Sequence, residues 1–75
     1  MSAVAKRSVS IRGHRTSFSV EQPFFEALQE IAAVRGQAFA ALIAEIDETR
    51  SRDTNLSSAI RLYVLEYMRA RQQAS

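Results

Sequence analysis

Two hydrophobic periods divide the chain. From Arg15 to Val20 the residues alternate, with Thr16, Phe18 and Val20 on one face and Arg15, Ser17 and Ser19 on the other, which predicts a half-buried strand. From Phe24 the period lengthens. Phe24, Phe25, Leu28, Ile31 and Ala32 recur at helical spacing, Pro23 suits a first turn where its missing N–H costs nothing, and Gly36 after Arg35 serves as a C-cap. A first helix is expected over Glu21–Arg35. Phe39, Leu42, Ile43 and Ile46 mark a second over Ala38–Thr49. Polar Arg50–Thr54 reads as a loop and Asn55 as a cap. Leu56, Ile60, Tyr63, Val64, Tyr67 and Met68 then predict a third helix to about Gln72. The order is β-α-α-α, a mainly α chain with one strand and no internal repeat.

The segment before this strand is open to two readings. Val9 and Ile11 also alternate, but at odd positions, and Gly13 stands where the phase changes. Residues 8–12 either continue the strand after a bulge or fold back as a short hairpin. Residues 1–7 are small and polar with two bases and read as a flexible basic arm. The division expected is an arm over 1–7, a core over 8–50, and a loop with the third helix over 51–75, all in one domain.

Composition adds a constraint. A chain of 75 residues has a small core and needs a staple; it has no cysteine for a disulfide, and a single histidine, His14, is too few for a zinc site. Oligomerisation is the staple left. If residues 8–20 form one strand, that strand lacks a ladder partner, and the same segment of a second copy supplies it across a two-fold axis. Such a dimer would bury Thr16, Phe18 and Val20 with Phe25, Leu28, Leu42 and Ile43 as its core, and present Arg15, Ser17 and Ser19 outward.

Charge sharpens this. Net charge is +2, but residues 1–20 carry Lys6, Arg7, Arg12 and Arg15 with no acid, while residues 21–75 carry six arginines against eight acids. The basic character is N-terminal and points to a polyanion bound there. No run is long and apolar enough for a membrane span, and the start lacks an apolar signal-peptide region, so a cytoplasmic protein is expected. With one histidine and two glycines, neither a Ser-His-Asp set nor a Gly-rich phosphate loop can be assembled. Neither enzymatic activity, a cofactor nor a metal is expected.

A strand followed by a helical hairpin with a basic N-terminal side resembles the ribbon-helix-helix DNA-binding proteins, the class of the Arc, MetJ and CopG repressors. The carrying residues are Arg15–Val20, Pro23–Leu28 with Ile31 and Ala32, Gly36, and Leu42 with Ile43. The string KRSVSIRGHRTSFSVE, with AEID and NLSSAIRLYVLEYM downstream, is similar to a bacterial subgroup with a third helix. The resemblance implies an intertwined homodimer sharing a two-stranded antiparallel ribbon, which a DNA major groove admits. It puts base contacts at Arg15, Ser17 and Ser19. It puts a phosphate clamp at the backbone amides of Gln37, Ala38 and Phe39, where Ala38 departs from the usual Ser or Thr cap.

From their charge alone, Lys6, Arg7 and Arg12 are expected at phosphates, with His14 beside them. The bland alternatives are a solvated strand arginine for Arg15, a plain polar face for the serines, an idle arm for the bases and a polar turn for His14. The phenylalanines fit a core better than a stacking platform for single strands. The function expected is sequence-specific binding of double-stranded DNA and regulation of transcription. The alternative is an antitoxin or adaptor that docks a protein partner on the third helix.

Overall fold

The computed structural model describes residues 4–74; the first three residues of the expected arm lie outside the described residues. Its elements are β1 (Val4–Ile11), β2 (His14–Glu21), α1 (Gln22–Arg35), α2 (Phe39–Thr49) and α3 (Leu56–Ala74).

The ambiguity at residues 8–12 is settled in favour of a hairpin, and a longer one than expected. β1 pairs antiparallel with β2 from Val4 opposite Glu21 to Ile11 opposite His14. The turn needs two residues at positive φ, the requirement of the tight type I′ connection that matches strand twist. Arg12 at 52° and Gly13 at 79° supply them. Residues 4–7, expected in a flexible arm, belong to β1. The expectation of one strand without a ladder partner is thereby corrected, because the partner lies in the same chain. A ribbon shared between two copies no longer follows from a missing strand.

The phase change at Gly13 has a simple cause. A two-residue turn separates the strands, so odd residues of β1 and even residues of β2 face the same way. Val9, Ile11, Phe18 and Val20 thus share the inner face, with Ile11, Phe18 and Val20 buried and Val9 packed against them. α1 begins directly after β2 with Pro23 in its first turn, and Gly36 ends it in the left-handed conformation at φ 67°. The N–H groups of Gly36 and Gln37 return to the Ala33 and Ala32 carbonyls at 3.1 and 2.9 Å, closing the last turn of α1.

Leu28, Ile31, Leu42, Ile43, Ile60 and Val20 are the largest fully buried side chains. Each apolar side chain so buried is worth about 1.5–3 kcal/mol. Of the residues expected to form a dimer core, Phe18, Val20, Leu28, Leu42 and Ile43 are buried within the single chain, while Thr16 and Phe25 are half-buried. α3 packs on this core from within the chain. Its Leu56, Ala59, Ile60 and Val64 close the core. Asn55 caps it, its Oδ1 accepting from the Ser58 N–H at 2.9 Å. One polar latch ties the three helices: the Arg35 guanidinium donates to Glu45 at 2.9 Å and to the Tyr63 hydroxyl at 2.6 Å. Both partners hold its pKa above the ordinary arginine value, the Glu45 hydrogen bond most.

Candidate nucleic-acid interface

The inner face of the ribbon is committed to the core, which leaves the outer face for function. Beyond its end, where Val4 lies opposite Glu21, this face carries Lys6, Ser8 and Ser10 along β1 and Arg15, Ser17 and Ser19 along β2. Lys6 lies opposite Ser19, Ser8 opposite Ser17, and Ser10 opposite Arg15. All are exposed except Ser19, which is half-buried. Lys6, Ser8, Arg15 and Ser17 with Thr16 line a shallow polar depression. No acid stands among these six residues. The two bases are diagonal across the ribbon, displaced by four residues, roughly 13 Å at the rise of a strand.

The four N-terminal bases, alike in the sequence, have different places. Arg7 is on the inner face, its guanidinium carbon 3.7 Å from the centroid of the Phe25 ring and its NH2 group donating to the Gln22 carboxamide. That is a cation–π contact with α1, on the side away from Lys6 and Arg15, so the phosphate role expected of Arg7 is corrected. Arg12 bends over the turn to pair with Glu48 at the end of α2, 2.8 Å away, and an acid partner now offsets its charge. Lys6 and Arg15 make no ion pair among the described residues, and they are the bases the outer face presents. His14 is exposed at the first position of β2, opposite Ile11.

Ser19 differs from its neighbours because α3 runs beside it. Its N–H donates to the Ser57 hydroxyl at 2.8 Å, and its carbonyl accepts from Arg61 at 3.3 Å. Arg61 also donates through Nε to Glu21 at 3.0 Å. That hydrogen bond, aided by the Arg61 charge, holds the Glu21 carboxyl below its ordinary pKa against a smaller opposing effect of desolvation. The outer edge of β2 is therefore closed at Ser19.

At the second candidate contact, the start of α2, the residues are divided. The Gln37 N–H is already used in closing α1, and the Phe39 ring packs 5.4 Å from Phe25 and 6.4 Å from Phe18 on the inner side of the ribbon. The clamp role expected of the Gln37 amide is corrected to that extent. Ala38 is the N-cap, with extended backbone and no side-chain cap bond, so the first-turn amides of α2 that follow it receive no side-chain cap.

Ser8 and Ser10 are the outer-face residues that the sequence reading left out. The signal was the odd phase of Val9 and Ile11, which places their neighbours Ser8 and Ser10 on the opposite face once a two-residue turn is assumed. Among the described residues no group of three or more His, Cys, Asp or Glu side chains is gathered that suits a metal ion, and no helix is long and apolar enough to cross a membrane.

This is the hairpin-first, helical architecture whose strands present small polar residues and bases outward. The sequence profile of the ribbon-helix-helix domain matches residues 4–68, from the first residue of β1 into the last turns of α3. The chain belongs to the ribbon-helix-helix family. Neither a curated protein nor a solved structure matches it. Ribbon-helix-helix domains are generally DNA-binding regulators, typically without enzymatic activity, and generally bind DNA as dimers.

Proposed function

We propose that this ribbon-helix-helix protein binds double-stranded DNA in a sequence-dependent way, with the outer face of its hairpin in the major groove, and that it regulates transcription in the cytoplasm. The observation that carries the reading is the face itself: Lys6 and Arg15 flank a row of serines and make no ion pair among the described residues, while the acid at the end of the face, Glu21, is held by Arg61. A two-stranded ribbon fits the width of the major groove. Arg15 donates there to guanine O6 and N7, Ser17 and Ser8 approach base edges or phosphates, and Lys6 contributes charge. The uncapped amides at the start of α2 are a second place for phosphate.

The partner-docking alternative has less to stand on. The inward face of α3 is spent on the core, which leaves Leu62 and Leu65, each about half exposed, as its outward apolar residues. Fluorescence anisotropy with labelled duplexes at two salt concentrations tests the DNA reading. Arg15→Ala is expected to weaken specific binding by about 1–3 kcal/mol, and Lys6→Ala to reduce the salt slope by about 1. Affinity untouched by Arg15→Ala sinks the groove contact.

A further inference from the structure

Charge on the outer face does not end with Lys6 and Arg15. The even positions of β1 run Lys6, Ser8 and Ser10 along that face, and the next even position is Arg12, the first residue of the turn. Its guanidinium is turned away from the row. The NH2 group donates to the Glu48 carboxylate at 2.8 Å, which ties the turn to the end of α2.

Glu48 has few other cations to meet. It lies in the last turn of α2, where the helix dipole already places negative partial charge and where no basic residue stands. Arg50, just beyond, is engaged by Asp47 and the Thr54 carbonyl, and Arg35 by Glu45 and Tyr63. Arg12 therefore supplies from the ribbon the charge that this helix end lacks. The pair is nevertheless an open one. Its side chains are 56% and 66% exposed, so water and salt compete with it and its hold on Arg12 is weak.

Resting on the DNA-binding reading above, we propose that Arg12 is a phosphate contact held in check by Glu48: in the free protein the arginine pairs with the carboxylate, and on DNA it exchanges that partner for a phosphate at the turn end of the ribbon. The reach is short. Arg12 is two residues from Ser10 and three from Arg15, both on the outer face. The exchange replaces one charge-assisted contact of an arginine by another, and the phosphate has the advantage that binding it releases condensed counterions from the duplex.

Glu48 thereby acts as a competitor. Because a phosphate contact carries no sequence information directly, the competition lowers affinity for every duplex by the same factor and leaves the choice of bases to Arg15 and the serines. Arg7 has no such exchange open to it, since its guanidinium lies against the Phe25 ring on the inner face.

Fluorescence anisotropy over a salt series, with specific and nonspecific duplexes, tests this on the wild type, Glu48→Gln, Arg12→Gln and the double variant. Both side chains are more than half exposed, so neither substitution opens the core. Glu48→Gln is expected to tighten binding about two- to fivefold for each chain bound, by the same factor on both kinds of duplex. Arg12→Gln weakens binding and reduces the salt slope by about 1 for each chain. In the Arg12→Gln background most of the gain from Glu48→Gln disappears. An equal gain with and without Arg12 overturns the proposal, because the carboxylate then acts only as a negative charge near DNA. No gain from Glu48→Gln, or a salt slope unchanged by Arg12→Gln, overturns it as well. Each of these leaves the DNA-binding reading standing where Arg15→Ala still weakens specific binding. A wild-type protein that binds no duplex overturns both.

Discussion

The two faces of one ribbon, a few ångströms apart and built from alternate residues of the same strands, have opposite tasks. On the inner face Ile11, Phe18 and Val20 are buried against the helices. On the outer face Lys6, Ser8, Ser10, Arg15 and Ser17 meet solvent and contribute nothing to the core. Because the strand period is two, chemistry on one face changes without disturbing the other. Stability and recognition are thereby separable by neighbouring substitutions, and the separation is testable.

The largest effect expected is on the inner face. Phe18→Ala removes a ring that is 3% exposed and touches Phe39, at a cost of about 3–5 kcal/mol. A core of this size supplies only about that much, so the variant is expected to be unfolded by circular dichroism at room temperature. Arg15→Ala, three residues away on the other face, leaves the urea midpoint in place. Equal loss of stability in both variants would break the distinction between the faces.

A smaller effect is expected where the two faces are brought into phase. Gly13 adopts φ 79°, and an added Cβ meets nothing within 4 Å, so the strain of a side chain there is conformational and not steric. Gly13→Ala is expected to cost about 1–2 kcal/mol, read as a lower urea midpoint with unchanged slope. A variant as stable as the wild type would place the hold on register elsewhere than the turn.

Sequence reasoning reached β2 and all three helices because their signals are local: alternation from Thr16 to Val20, Pro23 and Gly36 bounding α1, and Asn55 capping α3. β1 was legible only as one of two readings, a short hairpin over residues 8–12, for two physical reasons. Its inner face reads Ala5, Arg7, Val9, Ile11, so a charged residue interrupts the apolar alternation. What allows an arginine there is the ring of Phe25, eighteen residues away, a contact no local pattern contains. The turn was also half concealed. Gly13 announces one positive φ, but the tight turn needs two, and the other falls on Arg12, a residue that carries no turn signal.

The same locality governed the candidate site. Arg15, Ser17 and Ser19 were found by alternation, and Ser8 and Ser10 were lost with β1. Arg7, Arg12 and Lys6 were grouped by charge, yet one stacks on a ring, one pairs with Glu48 and one faces solvent. Charge counts along a sequence carry no information about which bases are used internally, because their partners come from α1 and α2.

The least expected effect lies at the seam between the two faces, the edge of β2. Arg61 hydrogen-bonds Glu21 and the Ser19 carbonyl, and it holds the Glu21 carboxyl below its ordinary value of 4.5. A carboxyl with a lower pKa in the folded state than in the unfolded chain stabilises the fold above the unfolded pKa. That contribution is lost as pH falls through the folded pKa, so the window lies below about 4.5. Arg61→Met removes the donor and keeps an unbranched stem, though it also gives up the guanidinium carbon that lies 6.0 Å from the Phe24 ring centroid. In this variant Glu21 is expected to titrate closer to 4.5 by carboxyl-resolved NMR, and the acid loss of stability to become shallower. The pair is partly exposed, so the change at neutral pH is small. The sharper readout is the Ser19 amide, whose hydrogen exchange quickens if Arg61 helps hold α3 against the ribbon edge. Unchanged exchange with a shifted Glu21 titration would show that Ser57 alone keeps that edge closed.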